Sequence, residues 1–133
     1  MPRLTASLVA AALALAACSD DDLDRVELPV GETFVSQRIV RDLEPSVIPE
    51  ASRVTLSFPT DSTYLLEAPA STCRGPLARV GPVAWRGGGG GCAEGCCSTA
   101  LAEEIAALVG TGELRVGDVT VTVGNDTASV IFQ

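Results

Sequence analysis

Residues 53–67 read RVTLSFPTDSTYLLE, and this stretch predicts the β-hairpin around which we expect the fold to form. Val54, Leu56 and Phe58 alternate with polar residues, so a strand would place all three on one face. The next four residues, 59–62, are typical of a turn, and residues 63–67 then form the returning strand. Such alternation, broken by Pro, Gly, Asp and Asn, indicates short antiparallel strands.

The rest of the chain extends this pattern and adds a helix. Leu101, Ile105 and Leu108 recur at helical spacing and predict one helix near residues 99–109. Ser98 or Thr99 can cap this helix, and Gly110 can end it. The sequence therefore predicts an α+β fold, mostly antiparallel β with one α-helix. Further strands are expected at 33–40, 77–80, 83–86, 113–116, 118–123 and 128–132, and a proline-containing loop at 45–51.

The N-terminus has the pattern of a bacterial lipoprotein signal peptide, which we assign to residues 1–17. An apolar run of 14 residues, 4–17, follows a weakly positive start and ends directly before Cys18. It is shorter than the roughly 20 residues needed to span a membrane. We expect Cys18 to be the lipidation residue, whose acyl chains, palmitate among them, form the membrane anchor. The alternative is an ordinary secreted protein whose signal ends near a cysteine.

After Cys18 the sequence changes character twice. Residues 18–27 are acidic and poor in large apolar side chains, which predicts a solvated tether. Residues 28–133 carry the strand and helix patterns and form the predicted β-rich domain. We expect localisation in the bacterial cell envelope. Ser19 favours the outer over the inner membrane, because an Asp directly after the lipidated cysteine favours inner-membrane retention.

Composition excludes several functions. The chain has 17 acidic against 9 basic residues and a formal net charge of −8, which disfavours binding to nucleic acid. It contains no histidine, which excludes a Ser-His-Asp triad and histidine-ligated zinc. We therefore predict no catalytic residues, no metal, no cofactor and no enzyme activity.

Four cysteines remain besides Cys18, and an even number in an exported chain favours two disulfide bonds. The disulfide candidates are Cys73, Cys92, Cys96 and Cys97. A zinc site with four thiolate ligands and a thiol redox site are the alternatives. The redox alternative depends on the adjacent Cys96 and Cys97, which precede a helix N-terminus.

Two aromatic residues and a glycine run have both functional and structural interpretations. Trp85 and Tyr64 could form a ligand or partner surface, although core packing is favoured in a chain with only five aromatic residues. Five consecutive glycines, 87–91, suggest a phosphate-binding loop, but the Gly-Lys-Ser/Thr that would open a helix is missing. A flexible surface loop is favoured there.

From Gly31 to Phe132 the order of features resembles the META domain of the HslJ-like family of small bacterial envelope proteins. The features are a glycine and Phe34 near the start, the strand 54–58, Cys73 after the hairpin, a glycine-cysteine stretch before the helix, Gly117-Asp118 in a turn and the strand 119–123.

The resemblance implies a non-enzymatic, stress-related or binding module of the envelope, whose ligand or protein partner is unknown. It also implies a disulfide between Cys73 and Cys97, and with it one between Cys92 and Cys96. The alternatives are an inhibitor or interaction partner of another envelope protein and a thiol redox module.

Overall fold

The computed structural model of the protein describes residues 25–94 and 99–133. This part of the chain is mostly antiparallel β-structure with one α-helix, as predicted. The elements are β1 (Thr33–Arg41), β2 (Glu44–Val47), a 3-10 turn (Glu50–Ser52), β3 (Thr55–Thr60), β4 (Thr63–Ala68), β5 (Ser71–Arg79), β6 (Ala84–Gly87), β7 (Gly91–Glu94), α1 (Ala100–Thr111), β8 (Glu113–Val116), β9 (Val121–Gly124) and β10 (Ala128–Phe132).

The sheet closes into a barrel, which the sequence analysis does not predict. Neighbouring strands follow the order β1, β3, β4, β5, β6, β8, β9 and β10, and β10 then pairs with β1. Two short strands lie outside this circuit: β2 pairs with β1, and β7 pairs with β5. A barrel of eight strands is just wide enough for side chains to fill its interior. Fully buried residues of that interior include Leu56, Phe58, Leu66, Val121, Val123, Val130 and Phe132.

The predicted hairpin is confirmed as β3 and β4, with Leu56 opposite Leu66. Its connection is shorter than expected, because the strands continue through Pro59 and Thr60 and leave only Asp61 and Ser62 between them. The register shifts near the turn, where the two strands are irregularly paired.

The barrel has two different ends. We call one the helix end, because α1 lies across it and buries Ala102, Ile105, Leu108 and Val109. We call the other the tether end, because the incoming segment 25–32 covers it. There, the backbone N–H of Val26 donates to the Pro82 carbonyl, and Leu28 is buried.

The helix begins as predicted but ends later. Thr99 is its N-cap, since the Thr99 hydroxyl accepts a hydrogen bond from the Ala102 N–H at 3.1 Å. Gly110 does not end it, which corrects that prediction. The helix continues to Thr111, and the Gly112 N–H donates to the Leu108 carbonyl at 2.7 Å. A side chain at Gly112 would lie 2.7 Å from the Gly124 carbonyl, so close packing against β9 explains that glycine.

Several strand boundaries differ from the predicted ones. Residues 44–47 form the strand β2 within the predicted loop, although Pro45 confines it to the outside of the barrel. The predicted strand 77–80 is the end of the longer β5. In place of the predicted 118–123, β9 covers only 121–124. These boundaries depend on pairing with distant strands, which local alternation does not report.

The glycine run includes a surface loop at residues 88–90, as predicted, but its two ends belong to strands and its backbone is closely packed. Gly87 ends β6 and Gly91 begins β7. Between them, the Gly88 N–H donates to the Pro76 carbonyl and the Gly89 N–H to the Gly110 carbonyl. This loop crosses the Tyr64 side chain, and a Cβ at Gly90 would lie 2.6 Å from its hydroxyl oxygen. The glycines therefore allow a close backbone approach.

Substitution of two nearby glycines tests this packing. A Cβ at Gly90 would lie 2.4 Å from the Arg74 carbonyl, whereas a Cβ at Gly91 meets no atom within 4 Å. We expect Gly90→Ala to lower the free energy of unfolding by about 1–3 kcal/mol through overpacking. Gly91→Ala should change it by less than about 0.5 kcal/mol. Thermal unfolding followed by circular dichroism checks both; equal melting temperatures would contradict the packing.

Candidate functional site

A disulfide bond joins Cys73 to Cys92. The two residues lie opposite each other on β5 and β7, with their Cα atoms 4.0 Å apart. Each sulfur can form only one disulfide, so this bond corrects both implied pairings, Cys73 with Cys97 and Cys92 with Cys96. The reason is the presence of β7, which brings Cys92 into register with Cys73. Cys96 and Cys97 lie outside the described residues, as does the lipidation candidate Cys18.

Trp85 and Tyr64 lie in the core and do not form an exposed ligand surface. Only 2% of Trp85 and 3% of Tyr64 are exposed, so the favoured core interpretation is confirmed and the possible ligand or partner surface does not form. Both side chains point into the barrel, because each occupies an inward position of its strand. Burial raises the pKa of the Tyr64 phenol, since the charged form is poorly solvated there.

Arg79 stacks on the buried Trp85 ring and holds the segment 25–32 in place; we call this arrangement the Arg79 clamp. The Arg79 guanidinium lies 4.4 Å from the centre of that ring, a cation–π distance. The same guanidinium donates to the Val26 carbonyl at 2.7 Å and to the Pro82 carbonyl at 2.9 Å. One arginine thus holds the incoming segment against the β5–β6 turn at the tether end.

Within the described part of the chain, no group of three or more His, Cys, Asp or Glu side chains is placed to hold a metal ion. No helix between residues 25–94 or 99–133 is long and apolar enough to cross a membrane.

The most exposed large apolar side chain of the described residues is at the helix end. Leu43 is 94% exposed at the tip of the β1–β2 hairpin. Asp42 and Leu43 both have left-handed backbone conformations, with φ of 50° and 65°. A bulky residue seldom adopts this conformation, and it costs roughly 1–2 kcal/mol. Val47 on β2 is also exposed, at 69%. We call Asp42, Leu43 and Val47 the hairpin surface.

An ion pair holds the hairpin against the helix. The Arg41 guanidinium, at the end of β1, contacts the Glu104 carboxylate of α1, with Nε 3.1 Å from Oε1. This hydrogen bond raises the pKa of Arg41. The pair is largely exposed, so it orients the hairpin more than it stabilises the fold.

A polar groove of about 490 Å³ lies beside the β9–β10 turn at the same end. Arg86, Glu113 and Arg115 form one wall, and Asn125 and Asp126 of the turn line the other side. We call it the arginine groove. A second depression, lined by Leu43 and Asp42, shares Asn125 and Asp126 with it. The hairpin surface and the arginine groove therefore flank the same turn.

No family model matches the chain, and no curated protein or solved structure is significantly similar to it.

No motif in the sequence singles out Leu43, Arg86 or Arg115. Asp42-Leu43 carries no glycine or asparagine to indicate a left-handed turn. The two arginines are 29 positions apart and meet only because β6 pairs with β8. The one available signal was the outward position of both arginines within predicted strands.

Peptide mapping tests the disulfide. Cleavage after Arg and Glu under non-reducing conditions separates Cys73 (residues 68–74), Cys92 (87–94) and the pair Cys96 and Cys97 (95–103). We expect mass spectrometry to find 68–74 linked to 87–94. Reduction should release both peptides as the control. A link between 68–74 and 95–103 would contradict the pairing in the structure.

Proposed function

We propose that this protein is a lipid-anchored module of the bacterial cell envelope that binds another envelope protein through its helix end and catalyses no reaction. Its resemblance to the META domain and HslJ-like proteins supports this class. The signal pattern before Cys18 supports the anchor, and Ser19 supports the outer membrane. The single observation that carries the binding role is Leu43, which is exposed and in a left-handed conformation.

The left-handed backbone conformation of Leu43 costs free energy, and this cost is the reason to assign Leu43 a binding role. A leucine in this conformation destabilises the turn, and its 94% exposure means that it buries almost no apolar surface in return. Asn would fit the turn better. Strained, exposed residues of this kind are found where binding compensates for the strain. Burial of Leu43, and of the exposed Val47 on the same hairpin, against a partner would supply that compensation.

The barrel separates the proposed anchor from the proposed binding surface. The Arg79 clamp holds residue Val26 at the tether end, close in sequence to Cys18. β1 begins at Thr33 near the tether end and extends for nine residues, about 30 Å, to the β1–β2 hairpin at the helix end. A protein anchored through Cys18 would therefore present Leu43 on the side away from the tether. This arrangement suits capture of a partner beyond the headgroup region.

Removal of the acceptor thiol tests the anchor. We expect Cys18→Ala to lose the acyl mass and to leave the membrane fraction, because no acyl chain then holds the protein. Cys96→Ala is the matched control and should remain membrane-bound. Fractionation and intact mass spectrometry make the measurement; a Cys18→Ala protein that stays in the membrane with unchanged modification would contradict lipidation.

Site-specific photo-crosslinking tests the binding surface. A photoreactive phenylalanine analogue at Val47 should give one discrete adduct in intact cells, and Leu43→Asn should reduce its yield at least several-fold. Leu43→Asn should leave stability unchanged or raised, since Asn tolerates the turn. The control position is Val119, which is 74% exposed in the β8–β9 turn at the tether end. Equal adducts at Val47 and Val119, or no effect of Leu43→Asn, would count against the proposal.

A further inference from the structure

We infer that the arginine groove is a binding site for a carboxylate group, held by Arg86 and Arg115. This site is distinct from the hairpin surface, and it requires neither lipidation nor a protein partner.

The strand register builds the groove. Arg86 of β6 lies opposite Glu113 of β8, Glu113 opposite Gly124 of β9, and Gly124 opposite Ser129 of β10. The residues next to this row along the strands, among them Leu114, Val123 and Val130, are buried in the core. Because successive side chains of a strand point to opposite faces, the row itself faces outward.

A glycine makes the floor of the groove. A Cβ at Gly124 would lie 2.6 Å from both the Ala128 carbonyl oxygen and the Ser129 Cβ, so no side chain fits there. The row consequently has a gap between Glu113 and Ser129. Arg115 and Thr122 of the next row close one side of that gap, since they are paired with each other on β8 and β9.

The arginine wall has two guanidinium groups and one carboxylate. Arg115 holds that carboxylate, because its Nε and one terminal nitrogen lie 3.1 Å and 3.0 Å from Glu113 Oε1. Arg86 is 3.9 Å from the other oxygen, beyond hydrogen-bond distance, and its side chain is 60% exposed. The wall thus has one positive charge in excess and a guanidinium that Glu113 does not satisfy.

A carboxylate fits this wall better than a phosphate does. The planar guanidinium fork matches a carboxylate with two parallel hydrogen bonds. Arg115 already makes a charge-assisted contact with one oxygen of Glu113, and a ligand carboxylate would bridge Arg86 and Arg115 with one oxygen on each guanidinium. Asp126 on the opposite side of the groove would repel the second charge of a phosphate dianion.

Glu113 makes the proposal testable in both directions, because it competes with the ligand for the same guanidinium groups. Removal of an arginine should weaken binding, whereas Glu113→Gln should strengthen it. A substitution that only disturbs the fold would not change affinity in these opposite directions.

The experiment titrates the protein, as isolated from cells and held in uncharged detergent micelles, with N-acetylglycine, a mimic of a peptide C-terminus. We expect saturable NMR shifts of the Gly112, Gly124 and Ser129 amides, and none with the neutral N-acetylglycinamide. Arg86→Gln should raise Kd roughly tenfold, as expected for loss of a charge-assisted hydrogen bond. Glu113→Gln should lower Kd several-fold. High salt should weaken binding by screening.

Two controls separate the site from general electrostatics. Arg74→Gln and Glu67→Gln make the same charge changes at exposed positions on β5 and β4, away from the groove, and should leave Kd unchanged. The site is refuted if N-acetylglycine gives no saturable shifts, or if Arg74→Gln weakens binding as much as Arg86→Gln. Tighter binding of inorganic phosphate than of N-acetylglycine would overturn the assignment to a carboxylate.

Discussion

Pairing between β1 and β10 joins the first and last strands of the domain and closes the sheet. Closure gives every strand of the circuit an inner face, so each alternating apolar residue becomes part of one core. The junction includes the buried Ser36, beside a register shift in β1. Its hydroxyl accepts a hydrogen bond from the Val54 N–H at 2.9 Å, which satisfies two polar groups that the closed barrel buries.

A closed barrel leaves two openings, and the chain covers each by different means. At the helix end α1 supplies four buried side chains, and glycines allow it to approach β6 and β9 closely. At the tether end Leu28 is buried and Arg79 holds the incoming backbone through hydrogen bonds. The Cys73–Cys92 bond adds a covalent link between the barrel and the outer strand β7.

This division of the two ends also organises the proposed functions. The incoming segment reaches the barrel at the tether end, while the hairpin surface and the arginine groove meet at the helix end beside the β9–β10 turn. Asn125 stabilises that turn, because its side-chain oxygen accepts hydrogen bonds from the Thr127 and Ala128 N–H groups. The hairpin surface and the arginine groove therefore lie on either side of one hydrogen-bonded turn.

The sequence by itself determined the local features: the β3–β4 hairpin from its alternation, the helix from its spacing and a cap at Ser98 or Thr99, and the mostly antiparallel class. These depend on residues near one another in the chain, whose pattern local chemistry fixes. Only the tertiary structure decided the closure of the barrel, the Cys73–Cys92 bond and the convergence of Arg86 with Arg115. Each of these depends on the register between strands, which is set by how all the side chains fill one shared core.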